Sequence, residues 1–203
     1  MDAFQKALDL IPEASYDLIA RLLPGGIALA SFASTYSLGF YGFTIDGSSG
    51  FVAVAIFLVL SYATGLVLST LAHPLYWLTW PFVYCILAKH TDAGQRLTEA
   101  LDRALGTQSQ KLEWKNPLGA SVILDRAHDL IKKRDPSQGL VVTKLSAEVA
   151  LVYGLSLATG LFSVLNCGRF WFVPVVLLVL GYLRSVRLWQ RHATILQAVT
   201  AQG

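Results

Sequence analysis

The chain has too little charge to cover the surface of a soluble protein. Only 14% of its 203 residues are Asp, Glu, Lys or Arg, whereas ordinary globular domains carry about 25%. Cysteine is also scarce, since Cys85 and Cys167 are the two thiols and they have no metal-ligand or redox spacing. Together with 54% hydrophobic residues and a mean hydropathy of +0.53, these deficits exclude a soluble enzyme domain, a disordered tail and a disulfide scaffold.

Recognisable catalytic motifs are also missing. The chain has no Gly-rich phosphate loop, Gly-x-Ser-x-Gly, His-Glu-x-x-His or Cys-x-x-Cys, and its four histidines are scattered. Arg187 and His192 have the R-x4-H spacing of HEPN ribonucleases, but arginines after a span are expected as membrane anchors. Glu148 lies near a span interior, where pairing with Lys144 or a boundary position is the favoured interpretation. We therefore predict no enzyme activity, catalytic residue, metal ligand or cofactor.

Long apolar runs dominate the sequence, and a membrane-spanning helix needs roughly 20 apolar residues to cross about 30 Å of hydrocarbon. The sequence predicts an all-α polytopic membrane protein with four transmembrane helices, at residues 23–43, 51–72, 145–167 and 170–186. The aromatic segment 74–88 is too short to cross the membrane at 1.5 Å per residue. It is predicted to be either an interfacial helix or a re-entrant turn at Pro74 and Pro81.

The basic residues predict the orientation of the chain. With four spans, every Lys and Arg except Arg169 lies on one side of the membrane, and positive charge favours the cytoplasmic side. Both termini are therefore predicted to be cytoplasmic. The remaining segments are predicted to be an amphipathic interfacial helix at 1–22, a cytoplasmic helical region at 89–144 and a cytoplasmic C-terminal helix at 187–203.

Two sets of residues on the spans and at their ends have predicted roles in the membrane. Small residues allow membrane helices to approach closely, so they indicate either packing within the chain or a symmetric interface or narrow pore. The candidate pore or interface residues are Gly26, Ala30, Ser34, Ser37, Ser61, Gly65 and Ser69. Aromatic rings gather at the bilayer boundary, and the predicted interfacial anchors are Tyr76, Trp77, Trp80, Tyr84, Trp171 and Trp189.

Lys132, Lys133 and Arg134 form a basic cluster at the end of a predicted cytoplasmic helix that starts at Asn116-Pro117. Anionic headgroups of the lipid bilayer attract such charge, at about 1 kcal/mol per residue. The alternative is a binding site for an anionic ligand or an acidic cytoplasmic partner protein. Direct nucleic-acid binding is less favoured because no aromatic stacking residues are interleaved with the cluster.

The predicted cytoplasmic helices also have apolar faces, and helices of some 15 residues are marginal alone in water. The residues of these faces are Leu97, Leu101 and Leu105 on the first helix and Val122, Leu130 and Ile131 on the second. Symmetry-related copies would cover them, which predicts a homo-oligomer.

Three segments of the chain suggest a resemblance to a known family. They are residues 16–25 (YDLIARLLPG), residues 61–65 (SYATG) and the helical insert between the second and third spans. The chain resembles the small multi-pass membrane subunits of bacterial antiphage operons, such as those of the Kiwa or Hailong systems. The resemblance implies an oligomer in the bacterial inner membrane that senses infection or damages the membrane when triggered, and that works with a cytoplasmic partner encoded beside it. It carries over no functional residue. The predicted function is a defence-type membrane effector or sensor, controlled by a cytoplasmic ligand or partner. The alternative function is a non-conducting anchor for a soluble partner protein.

Overall fold

The structure is a computed structural model that describes residues 2–35, 47–105, 115–165 and 170–201. Within those ranges the chain is all-α, as the sequence predicts. The helices are α1 (Asp2–Thr35), α2 (Gly47–Leu71), α3 (His73–Ile86), α4 (Ala93–Leu105), α5 (Pro117–Arg134), α6 (Pro136–Leu165) and α7 (Phe172–Ala201). A π-helical segment, Leu87–Thr91, lies between α3 and α4.

Four of these helices contain stretches that are long and apolar enough to span a membrane. The stretches are Ser15–Ala33 in α1, Phe51–Leu71 in α2, Pro136–Leu165 (α6) and Phe172–Ala201 (α7). The prediction of a multi-pass membrane protein with four spans is therefore confirmed. Helix α3 has 14 residues, a length of about 21 Å, and is too short to cross the hydrocarbon region.

Helix α1 is continuous across the boundary predicted between the interfacial segment 1–22 and the first span, 23–43. It runs through Pro24, and its apolar stretch starts within the predicted interfacial segment. Proline removes one backbone donor from a helix, but neighbouring helices in a membrane can compensate for such a defect. The end of the predicted span, beyond Thr35, lies outside the described residues.

Helix α3 does not have the re-entrant turn that was one of the two predictions for the aromatic segment 74–88. It continues through Pro81, so the described backbone has no re-entrant turn at Pro74 or Pro81. Pro74 is the second residue of the helix, and proline is tolerated in a first helical turn because the amide it lacks would have no partner there.

The chain divides into two compact units. Unit 1 comprises Met1–Leu75 and Ala147–Gly181, and unit 2 comprises Tyr76–Ser146 and Tyr182–Gly203. Each of the long helices α6 and α7 therefore contributes residues to both units.

In unit 1, two glycines bring the backbones of α1 and α2 into contact. A Cβ atom at Gly25 would overlap the carbonyl oxygen of Ser61, and one at Gly65 would overlap the carbonyl oxygen of Arg21. Close contact of this kind, through small residues, is the usual source of helix association in membranes. The small residues of α1 and α2 thus pack the chain against itself.

In unit 2, segments distant in sequence surround one apolar core. Helix α3 contributes Trp80, α4 contributes Leu97, α5 contributes Ile123, α6 contributes Val142 and α7 contributes Trp189, and each is at most 2% exposed. The insert between the second and third spans is therefore packed together with residues from α3 and from the end of α7.

This core covers most of the apolar faces that were expected to need a second copy of the chain. Leu97, Leu101 and Ile131 are buried inside unit 2, whereas Leu105 and Val122 remain 41% and 38% exposed. The faces are covered by long-range contacts within the chain, which the sequence does not reveal. Homo-oligomer formation stays a prediction, and the buried faces no longer support it.

Candidate functional site

The predicted basic cluster forms an exposed corner between α5 and the spanning helix α6. Lys132, Lys133 and Arg134 make up the last turn of α5, and all three are exposed. We call these three residues the basic corner. Cationic side chains at a helix C-terminus interact favourably with the helix dipole. One residue, Asp135, separates the corner from the start of α6 at Pro136, nine residues before the predicted start of the third span.

Asp135 fixes the geometry of this junction. Its Oδ1 atom accepts hydrogen bonds from the Ser137 hydroxyl at 2.6 Å and from the backbone amides of Ser137 and Gln138 at 3.0 and 3.2 Å. These bonds, chiefly that from the Ser137 hydroxyl, hold the pKa of the Asp135 carboxyl below its ordinary value. The backbone N–H of Asp135 donates to the Ile131 carbonyl at 2.8 Å. The carboxylate thus caps α6 while its backbone closes α5.

The two helices are also in close contact beside the junction. A Cβ atom at Gly139, in the first turns of α6, would lie 3.0 Å from the Cα atom of Lys132. At the other end of α5, the Asn116 side chain accepts a hydrogen bond from the Leu118 amide at 3.1 Å and caps the helix. The helix start predicted from Asn116-Pro117 is therefore confirmed.

Three of the predicted pore or interface residues lie in the contact between α1 and α2. A Cβ atom at Gly26 would be 3.5 Å from the Ser61 Oγ atom, and Gly65 meets the backbone of Arg21. The Ser61 side chain is buried. These residues therefore take part in packing within unit 1, which is one of the two roles expected for them.

The structure describes the side chains of two other members of that set, Ala30 and Ser69. Ala30 is exposed on α1, and the Ser69 hydroxyl donates to the Leu66 carbonyl of its own helix at 2.8 Å. The side chain of Ser34 and all of Ser37 lie outside the part of the chain that the structure describes.

Two of the predicted interfacial anchors are core residues. Trp80 is 2% exposed and Trp189 is fully buried, and their ring centroids are 5.5 Å apart. The Trp80 indole N–H donates to the Lys115 carbonyl at 3.1 Å. These rings are enclosed by unit 2 and cannot reach lipid headgroups, so the predicted anchor role is corrected for both.

The remaining aromatic residues of that set differ in exposure. Trp77 and Trp171 are 45% and 67% exposed, so their rings are accessible in the way that an interfacial anchor requires. Tyr76 and Tyr84 are half-buried against the core of unit 2.

A pocket in unit 2, with several polar side chains in its lining, was not predicted from the sequence. Its volume is about 180 Å³, and its lining residues are Tyr76, Ser121, Leu124, Asp125, His128, Ser146, Leu188 and His192. The rings of His128 and His192 are 6.2 Å apart. The Nε2 atom of His128 is 3.3 Å from the Thr143 hydroxyl, and the Nδ1 atom of His192 donates to the Leu188 carbonyl at 2.9 Å. The two histidines come from different helices, so their separation in sequence gave no signal.

The two R-x4-H residues differ in exposure. Arg187 is exposed on α7, whereas His192 is only 1% exposed. Over the described ranges, no group of three or more His, Cys, Asp and Glu residues is arranged to hold a metal ion.

The chain matches no family model, no characterised protein and no solved structure. A fold alone does not identify an activity. Function is therefore inferred from the residues and contacts described above.

Proposed function

We propose that the protein is a defence-type membrane sensor or effector of the bacterial inner membrane, controlled from the cytoplasm by an acidic partner protein or an anionic ligand. The observation that carries this proposal is the basic corner. Its three exposed cationic side chains lie one residue before the start of a spanning helix. Such concentrated positive charge attracts an anionic surface, with a strong dependence on salt.

The junction between α5 and α6 would transmit the effect of binding at the basic corner to the spanning helix α6. Asp135 caps α6 through three hydrogen bonds from Ser137 and Gln138, and Gly139 lies against Lys132. A partner that binds the basic corner and displaces its residues would therefore also displace the first turn of α6. Because α6 contributes residues to both units, binding in unit 2 would bias the packing of the membrane spans.

Orientation and assembly complete the proposal. With the span bounds predicted from the sequence, every Lys and Arg except Arg169 falls on the side assigned to the cytoplasm, which supports cytoplasmic termini. Leu118 and Val122, one turn apart on α5, are 57% and 38% exposed and supply apolar surface for a homo-oligomer. Several copies would gather several basic corners around one axis.

Reversing the charge of the basic corner tests this function. The double variant Lys132→Glu and Lys133→Glu should lose capture of its cytoplasmic partner and its defence phenotype, because attraction becomes repulsion. Pull-down from cells that express the neighbouring genes measures the capture, and membrane fractionation measures insertion, which should be unchanged.

The matched control is the double variant Lys89→Glu and Arg126→Glu, which changes the net charge equally at two other exposed positions. This control should retain partner capture. Equal loss in both double variants would show a general charge effect and contradict a specific site at the basic corner.

The second candidate is a non-conducting anchor for a soluble partner. It is favoured by the use of Gly26, Ser61 and Gly65 in packing within unit 1, which removes these candidate residues from a pore lining. Ion flux through liposomes separates the two functions. An effector should release ions when the partner encoded beside it is added, whereas an anchor should leave the liposomes tight.

A further inference from the structure

A pocket of about 280 Å³ in unit 1 is lined by the carboxylate of Asp17, the guanidinium of Arg21 and the imidazole of His73. Its lining residues are Asp17, Ala20, Arg21, Ser69, Thr70, His73, Ala147 and Ala150. Asp17 and Arg21 lie one turn apart on α1, near the start of the stretch that can span a membrane. Ionisable residues at such positions are expensive and are therefore functional candidates.

Asp17 and Arg21 bond to each other, and Tyr62 contacts both of them. The Arg21 Nη2 and Nε atoms contact the Oδ1 atom of Asp17 at 2.7 and 2.8 Å. The Tyr62 hydroxyl lies 3.5 Å from the other carboxylate oxygen, and the Arg21 guanidinium lies 5.8 Å from the centroid of the Tyr62 ring. The side chains of Asp17 and Arg21 are still 49% and 29% exposed, so both charges are accessible to a ligand.

We propose that this pocket binds the zwitterionic headgroup of phosphatidylethanolamine. A simple anion would be attracted by Arg21 and repelled by Asp17. A simple cation would be attracted by Asp17 and repelled by Arg21. A phosphoethanolamine group matches both charges where they are exposed, because guanidinium groups recognise phosphate through paired N–H donors and a primary ammonium has N–H donors for a carboxylate. This inference is independent of the basic corner and its partner.

The surroundings of the pocket favour a membrane lipid over a soluble phosphoethanolamine. Leu18 and Ile19, next to Asp17 in α1, are 48% and 47% exposed, and Leu71 at the end of α2 is 55% exposed. These apolar side chains continue the surface on which acyl chains lie. Ala20, Ala147 and Ala150 keep the pocket open because their side chains are small.

The test measures lipid binding to the detergent-purified full chain by native mass spectrometry. Phosphatidylethanolamine, phosphatidylcholine and phosphatidylglycerol with the same acyl chains are titrated separately. The ethanolamine lipid should bind about tenfold more tightly than the choline lipid, which has no N–H donor, and more tightly than the anionic lipid. Equal binding of all three lipids would overturn the proposal.

Two variants separate the roles of the two charges. Asp17→Asn should remove the preference for the ethanolamine lipid over the choline lipid. Arg21→Gln should weaken the binding of all three lipids by about tenfold, because the contact with the phosphate is lost. Arg126→Gln and Asp129→Asn, at exposed positions on α5, are the matched controls and should bind as the wild type does. An Asp17→Asn protein that keeps the ethanolamine preference contradicts the proposal.

A third variant guards against failure of the charge variants to fold. Ala150→Phe fills the pocket from an exposed position on α6 without altering the charged pair, and it should lose binding of the ethanolamine lipid. Unchanged binding in this variant would place the lipid elsewhere. The last measurement is competition with soluble phosphoethanolamine. If this compound displaces the lipid at equal concentration, the assignment to a membrane lipid is overturned.

Discussion

Replacing Gly65 with alanine is expected to disrupt unit 1. The added Cβ atom would overlap the backbone carbonyl oxygen of Arg21, and a backbone atom cannot move aside as the end of a side chain can. Relief requires α1 and α2 to separate, which should cost about 3 kcal/mol or more. Thermal unfolding in detergent and the yield of monodisperse protein measure the loss.

Gly160→Ala is the matched control for this substitution. It is another glycine-to-alanine change in a spanning helix, but its new Cβ atom would lie 3.8 Å from the Pro174 Cβ atom, an ordinary van der Waals distance. This variant should unfold at the wild-type temperature. Equal stability of the two variants would mean that α1 and α2 do not have the backbone contact described for unit 1.

Replacing Trp189 with alanine is expected to unfold unit 2. The ring is fully buried and packs on Trp80 at a centroid distance of 5.5 Å, in a core shared by α3, α4, α5 and α7. Removal of a buried aromatic side chain costs about 3–5 kcal/mol, a large part of the stability of a small domain. Limited proteolysis should then cleave within residues 76–146 at protease concentrations that leave the wild type intact.

Trp171→Ala is the control for this second prediction. Trp171 is 67% exposed, so its loss should leave the resistance of unit 2 to proteolysis unchanged. A greater sensitivity in Trp171→Ala than in Trp189→Ala would contradict the burial of Trp189 and restore its predicted role as an interfacial anchor.

The sequence was most informative where structure is determined locally. The four spans follow from uninterrupted apolar runs, because hydrocarbon requires every backbone polar group to bond within its own helix. The ends of α5 follow from Asn116-Pro117 and Asp135-Pro136, because a capping side chain and a proline act within one turn. Neither inference requires knowledge of a distant residue.

The errors arose where distant contacts decide the outcome. Trp189 follows the apolar part of α7 and has the sequence signature of an interfacial anchor, but its burial depends on Trp80, which is more than a hundred positions away. The closeness of His128 to His192 depends on the same packing. The first span was predicted to start at residue 23, whereas α1 continues through Pro24, which lies against Gly154 of α6, and no local pattern shows this.

The discontinuous composition of unit 2 has a consequence for biosynthesis. Its core combines residues of α3 to α5 with Trp189 and Leu196 near the end of α7, which the ribosome adds after them. At about 5–20 residues per second, several seconds separate synthesis of Arg134 from that of Trp189. During this interval, α4 and α5 lack part of their core and are exposed to chaperones and proteases. A nascent chain thus cannot complete the core of unit 2 until the residues near the end of α7 have been translated, so unit 2 gains its resistance to proteolysis only after all four spanning helices have been synthesised.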